Sequence, residues 1–145
     1  MMKIFGSVIL IAVLLFGCRT IKQSAPQSTF SINGKECNKC IKNRTPDYGI
    51  DNRDGCVVLG EISLSLVFVS IDSIAGVVVD SKTAEPIPFA RVQLFQKTPE
   101  GAKVFYSDSL GEFQIKLTNR LEKIQIEYIG YRTLLIDLNS YYEIE

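Results

Sequence analysis

The chain contains no histidine and no tryptophan, and only two methionines and five prolines in 145 residues. Without histidine there is no Ser-His-Asp or Cys-His nucleophile system, and the commonest zinc and iron ligand is missing. Neither sign of charge predominates: 16 basic side chains balance 16 acidic ones. That balance excludes a basic field for nucleic acid and an acidic tail, so no nucleic-acid partner is expected. Long apolar runs are scarce too. The uncharged run from Ile4 to Gly17 spans 14 residues, short of the roughly 20 that a transmembrane helix needs. From Val57 onward no window carries a helical stripe. The length holds one domain, or one small domain with a tail. These absences name no reaction and no ligand. The residues that are present give an address and a fold.

Lys3 supplies a positive start, and the uncharged run after it suits a signal-peptide core. It ends in Leu15-Phe16-Gly17-Cys18, which resembles the lipobox of bacterial lipoproteins, where a small residue precedes a cysteine. The resemblance implies cleavage by signal peptidase II after residue 17, a diacylglycerol thioether on Cys18 and acylation (palmitate-like chains) of its amino group. Two or more acyl chains anchor a protein stably in a membrane. An ordinary secretory signal or an uncleaved anchor is the alternative. Arg19 to Ser24 contains no acidic residue, unlike the surface-export signals of some lipoprotein families. The expected location is the outer membrane, lipid-anchored and facing the periplasm, with the cell surface as the alternative.

Residues 1–17 are thus read as the signal peptide, 18–56 as a lipidated flexible tether with a cysteine-containing loop, and 57–145 as the folded domain. The stretch from 19 to about 34 is rich in Ser, Thr, Gln, Asn and Pro and has few apolar groups to offset the entropy of ordering. Cys37-Asn38-Lys39-Cys40 comes next, with Cys56 sixteen residues later. A zinc ribbon would need a fourth ligand beyond these three thiols, and an Asp47, Asp51 or Asp54 oxygen is a poor substitute for sulfur or nitrogen. A thioredoxin-like pair would need a strand-helix context that the polar segment 43–55 does not offer. A disulfide in an oxidising compartment suits the pattern best. Pairing Cys37 or Cys40 with Cys56 would close a loop worth about 3 kcal/mol in the chain-entropy model. An EF-hand reading of Asp51 to Glu61 fails because Ile50 would occupy the first ligand position. No metal or other cofactor is expected.

Beyond Val57 short apolar alternations recur. Ile62, Leu64, Leu66 and Phe68 alternate with Ser63 and Ser65; 74–80 is rich in valine; Ala90, Val92 and Leu94 oppose Arg91 and Gln93. Similar patterns cover 103–107, 112–117, 123–128 and 133–138. Seven half-buried strands at this spacing predict an all-β sandwich. Pro86 and Pro88 have no N–H and belong outside central ladder positions. Asp108 can cap a tight turn and Gly111 can take positive φ there; Gly130 is read as another turn-maker.

Gly76-x-Val78-x-Asp80-x-x-Thr83-x-Glu85-Pro86-Ile87-Pro88-x-Ala90-x-Val92 resembles the opening of carboxypeptidase regulatory-like domains. Ser107-Asp108-x-x-Gly111-x-Phe113 and Tyr128-Ile129-Gly130-Tyr131 extend the resemblance to about 74–138. It departs at Ser107, where the family has Thr, and at Phe89, often glycine there. The resemblance implies a Greek-key, transthyretin-like β-sandwich that is not itself catalytic. Such domains accompany metallocarboxypeptidases and precede the plug and barrel of many TonB-dependent transporters. The final strand of that fold is expected within Tyr141 to Glu145.

Asp80 and Asp108 are explained by turn chemistry rather than as an acid/base pair, and no catalytic residue is assigned. Tyr131, Tyr141 and Tyr142, with Phe89 and Phe105, are candidate contact aromatics, set against a role in covering the ends of the sandwich. The leading functional expectation is a non-enzymatic envelope lipoprotein, held to the membrane through Cys18. Its sandwich would serve an envelope protein partner such as a TonB-dependent transporter or an enzyme. A carbohydrate- or small-ligand-binding module is the alternative, and a redox protein using Cys37 and Cys40 is a third reading.

Overall fold

A computed structural model describes residues 27–43, 60–97 and 101–143. Each of the seven alternating stretches forms a strand: β4 (Ile62–Ser70), β5 (Ser73–Asp80), β6 (Arg91–Gln96), β7 (Ala102–Tyr106), β8 (Glu112–Lys116), β9 (Leu121–Glu127) and β10 (Leu134–Asp137). Three more precede them: β1 (Thr29–Ile32), β2 (Lys35–Glu36) and β3 (Ile41–Asn43). The ten strands make two five-stranded sheets, ordered β2-β1-β4-β5-β8 and β3-β10-β9-β6-β7. β8 returns beside β5 and β9 beside β6, the Greek-key arrangement.

Alternation along each strand turns one face inward. Ile62, Leu64 and Leu66 of β4, Val92 and Leu94 of β6, Ile124 and Ile126 of β9, and Leu134 and Ile136 of β10 are at most 1% exposed. Phe30 and Ile32 of β1 are fully buried among them. At about 1.5–3 kcal/mol for each large apolar side chain, these two make β1 part of the core. The sandwich therefore includes residues that the sequence reading assigns to the tether, and its boundary lies well before residue 57. β1 pairs with β4 in parallel, Phe30 opposite Leu64 and Ile32 opposite Leu66. It then reverses through Asn33 (φ 49°) and Gly34 (φ 77°) into antiparallel β2, the two positive φ values of a tight hairpin turn.

The expected disulfide to Cys56 is also corrected. Cys37 bonds Cys40, with Cα atoms 5.4 Å apart, across the short 3-10 turn Asn38–Cys40. Cys56 and Cys18 lie outside the described residues. The closed loop is short, so its contribution falls to about 2 kcal/mol on the same chain-entropy model. Both cysteines are buried, Cys40 at 0% and Cys37 at 6% exposure, which makes the bond part of the core rather than an accessible redox pair. Joined to each other, neither offers a thiolate to zinc.

The expected last strand is instead a single helical turn, α1 (Asn139–Tyr142). The Asp137 carboxylate accepts the Asn139 N–H at 3.0 Å and turns the chain out of β10. Leu138 then buries its side chain and donates its N–H to Glu122 O.

Candidate functional site

The two ends of the sandwich differ in chemistry. At the end where β5 finishes, Asp80 accepts the N–H groups of Lys82 and Thr83 at 2.7 and 2.8 Å, and the Tyr131 hydroxyl donates to its other oxygen at 2.8 Å. Burial pushes the Asp80 carboxyl upward, but the Thr83, Tyr131 and Lys82 donors outweigh it and hold it below the usual carboxylate range. Burial, then the hydrogen bond to Asp80, pushes the Tyr131 hydroxyl up to about 12. Gly60 is required beside this ring, because a Cβ there would lie 2.6 Å from two Tyr131 ring carbons. Nearby, buried Glu61 accepts the Ser28 hydroxyl at 2.5 Å and stands 3.2 Å from Arg132 Nε. That ion pair lacks hydrogen-bond alignment. The arrangement ties the start of β1 to the sandwich, as a clasp rather than a substrate cleft.

The turn residues have definite places. Val78 N–H is bonded to Gly111 O while Ile87 N–H is bonded to Val78 O and Asp80 N–H to Glu85 O. Pro86 sits opposite Val79, between those last two bonded positions, where the ladder needs no N–H from it. Asp108 accepts the N–H groups of Leu110 and Glu112, both at 2.8 Å. Gly111 has φ 71°, and a Cβ there would meet Val78 O at 2.4 Å. Gly130 turns between β9 and the Tyr131 bridge at φ 82°.

The three tyrosines do not form one patch. Tyr131 belongs to the Asp80 end, whereas Tyr141 and Tyr142 lie on α1 at the opposite end. Tyr141 is buried at 8% exposure. The Tyr142 hydroxyl donates to Leu121 O at 3.3 Å, and Arg120 lies 4.0 Å over its ring. With Phe68 and Ile71, Arg120 and Tyr142 line an open groove there. Phe105 packs on Phe113 with ring centres 5.5 Å apart, covering one flank of the core.

Three of the exposed apolar side chains lie together on that flank. Phe89, Tyr106 and Leu110 are 63, 62 and 59% exposed, and all three bracket the Asp108 turn. Phe89 donates its N–H to Asp108 O, Leu110 donates to the Asp108 carboxylate, and Tyr106 ends β7 two residues earlier. Phe89 holds φ 55°, a left-handed conformation costing a non-glycine residue about 1–2 kcal/mol. The resemblance marks this position as one where glycine is usual, but it does not show the consequence of the change. A large aromatic is held outward in a strained conformation.

This flank also carries the free edges. Ser107 N–H bonds to Ala90 O, and alternation from that point turns the backbone groups of Ala102, Val104 and Tyr106 away from β6. Among the described residues no strand pairs with β7 on that side. By the same rule β8 turns Glu112, Gln114 and Lys116 outward. Glu112 is already closed by Asp108, which takes its N–H and donates to its C=O.

Residues 74–143, from β5 through α1, match the family model of the CarboxypepD_reg-like domain. No curated protein matches the sequence. Among solved structures, the chain is similar to a crystal structure of native alpha-2-macroglobulin from Escherichia coli spanning domains NIE-MG1. The identity is 17% and the TM-score 0.47, over 56% of this chain and 38% of that one. Similarity at that level carries no argument about fold or activity. The spaced turn motifs, the two-sheet sandwich and the family match agree, and residues 74–143 are a CarboxypepD_reg-like domain.

Proposed function

We propose that the chain is a non-enzymatic, lipid-anchored envelope protein whose β-sandwich is an interaction module for another envelope protein, such as a transporter or an enzyme. The observation that carries this reading is the rim of Phe89, Tyr106 and Leu110 beside an open strand edge. Exposed aromatics grouped at one place are the usual anchors of protein interfaces. Strained backbone conformations cluster at functional sites, and Phe89 holds one. The lipid anchor rests on Lys3, the apolar run to Gly17 and Cys18. The carbohydrate reading loses its motive, since Tyr131 and the α1 tyrosines share no surface.

In-cell crosslinking of the full chain, with mass spectrometry of the proteins that co-purify, tests the module. One dominant envelope protein is expected, and its recovery should fall at least tenfold with Phe89→Gly. Recovery of no protein would overturn the module and return weight to glycan binding. Radiolabelled palmitate should enter the chain and be lost in Cys18→Ser; equal labelling of both would overturn the anchor.

A further inference from the structure

We infer that β7 is a self-pairing edge, and that two copies of this chain join through antiparallel β7–β7 contact about a two-fold axis at Val104. This rests on the reading of the flank as an interaction surface, and names a partner for its strand edge. Four strands end the two sheets: β2, β8, β3 and β7. β2 and β3 span two and three residues, and β8 is closed at Glu112 by Asp108. β7 offers a continuous edge of five residues in unbroken register with β6. It carries no proline or bulge and a single lysine, so among the described residues the usual protections against edge pairing are nearly absent.

The register is what favours a second copy. Antiparallel strands centred on Val104 set residue 102 opposite 106 and 104 opposite itself. Those are the three residues whose N–H and C=O groups point away from β6, so every outward group meets a partner. Side chains agree with the register. Tyr106 stands opposite Ala102 of the other copy, a large group beside a small one, and Val104 meets Val104. On the inner face Lys103 faces Phe105 of the other copy rather than another lysine, so no like charges meet. A contact of this kind is isologous and closes at two copies.

The joined strands, about 17 Å long each, cover less than the roughly 1,200 Å² of a standard stable interface. The pairing is therefore weak in dilute solution and strong where copies are held close together, as anchoring to one membrane would do.

The test uses the full chain in its native membrane, co-expressed with two different affinity tags, with the photo-crosslinker p-benzoylphenylalanine placed at Tyr106. The expected result is an adduct of twice the chain mass carrying both tags. It should fall at least tenfold with Val104→Lys, which sets two ammonium groups opposite each other. Val104→Pro should give the same loss, since it removes only an outward N–H; circular dichroism confirms that both variants fold. The same crosslinker at Gln114 on β8 should give no such adduct. Adducts with a different protein alone would overturn self-pairing and leave the interaction module standing. Folded protein that gives no adduct from Tyr106 would overturn self-pairing, and in-cell crosslinking with mass spectrometry then decides the module separately. Equal self-adducts from Tyr106 and Gln114 would reveal crowding rather than pairing and overturn the inference.

Discussion

β7 and β8 are neighbours in sequence, five residues each, and together they border one flank of the sandwich. Yet one edge is closed at its start and the other is not. The difference comes from the turn between them. Asp108 folds back on β8, accepting the Glu112 N–H with its carboxylate and giving its own N–H to Glu112 O. Among the described residues nothing comparable closes Ala102, Val104 or Tyr106. A single residue thus closes the start of one edge, and the same turn carries the exposed apolar rim beside the other. The turn of a hairpin-like corner can decide which strand is available for pairing, without any change in the strands themselves.

Breaking the turn should have the largest effect. Gly111→Ala places a Cβ against Val78 O at positive φ, and strain plus the backbone clash should cost roughly 2–4 kcal/mol. A urea titration should show a lower midpoint at unchanged slope; an unchanged midpoint would refute the close packing. Asp108→Ala keeps the backbone path but removes two capping bonds, for a loss of about 1–2 kcal/mol. It also frees the Glu112 N–H, so a crosslinker at Gln114 should begin to capture neighbours. If β8 stays silent in that variant, Asp108 is not what protects it.

Asp80 repeats the capping device in the turn that follows β5, with Tyr131 as an added donor, and asks whether the device is general. Tyr131→Phe should cost about 1 kcal/mol near neutral pH. The two shifts set the pH dependence. Asp80 is lowered on folding, so its contribution is complete above the ordinary value of 3.8 and is lost as pH falls through the lowered one. Tyr131 is raised from 10.0 to about 12, so its contribution is complete below 10 and is lost as pH rises toward 12. Melting temperatures across both ranges should fall at each extreme, and Tyr131→Phe should remove the alkaline decline between 10 and 12. A decline that persists in that variant would assign it to another group. The smallest effect is a gain: Phe89→Gly should stabilise by about 0.5–1 kcal/mol, because glycine accepts φ 55° without strain. A loss of stability there would mean that the Phe89 ring packs on the fold rather than standing out from it.

The fold was legible wherever apolar alternation ran for five residues or more. Each of the stretches expected beyond Val57 became a strand, because period-two patterning settles which face is buried. β1 escaped because Thr29-Phe30-Ser31-Ile32 is only four residues long and lies in a Ser- and Gln-rich stretch whose composition suggests a tether. The signal that could have found it is Asn33-Gly34 directly after Phe30 and Ile32, a hairpin turn joined to an alternating pair. The cysteine pairing was not legible, since spacing alone allowed either partner for Cys40. Tyr141 and Tyr142 defeated the strand expectation because the chain turns at Asp137, whose carboxylate accepts the Asn139 N–H, and continues as a helical turn. The rim was half legible: Phe89 stood out as a departure from glycine, but neither its exposure nor its neighbours on the Asp108 turn can be read from sequence spacing.

The parallel pairing of β1 with β4 also sets an order in time. Thr29 precedes its partner Ser63 by 34 residues, so on a chain made from its first residue onward the earliest strand can close only its short hairpin with β2 and has no sheet to dock on until β4 has emerged. β4 can close its hairpin with β5 at once, and local hairpins form faster than contacts that close a long loop. The first-made strand is therefore among the last to dock. Weakening β1, at Phe30 for instance, should chiefly speed unfolding and leave the folding rate nearly unchanged.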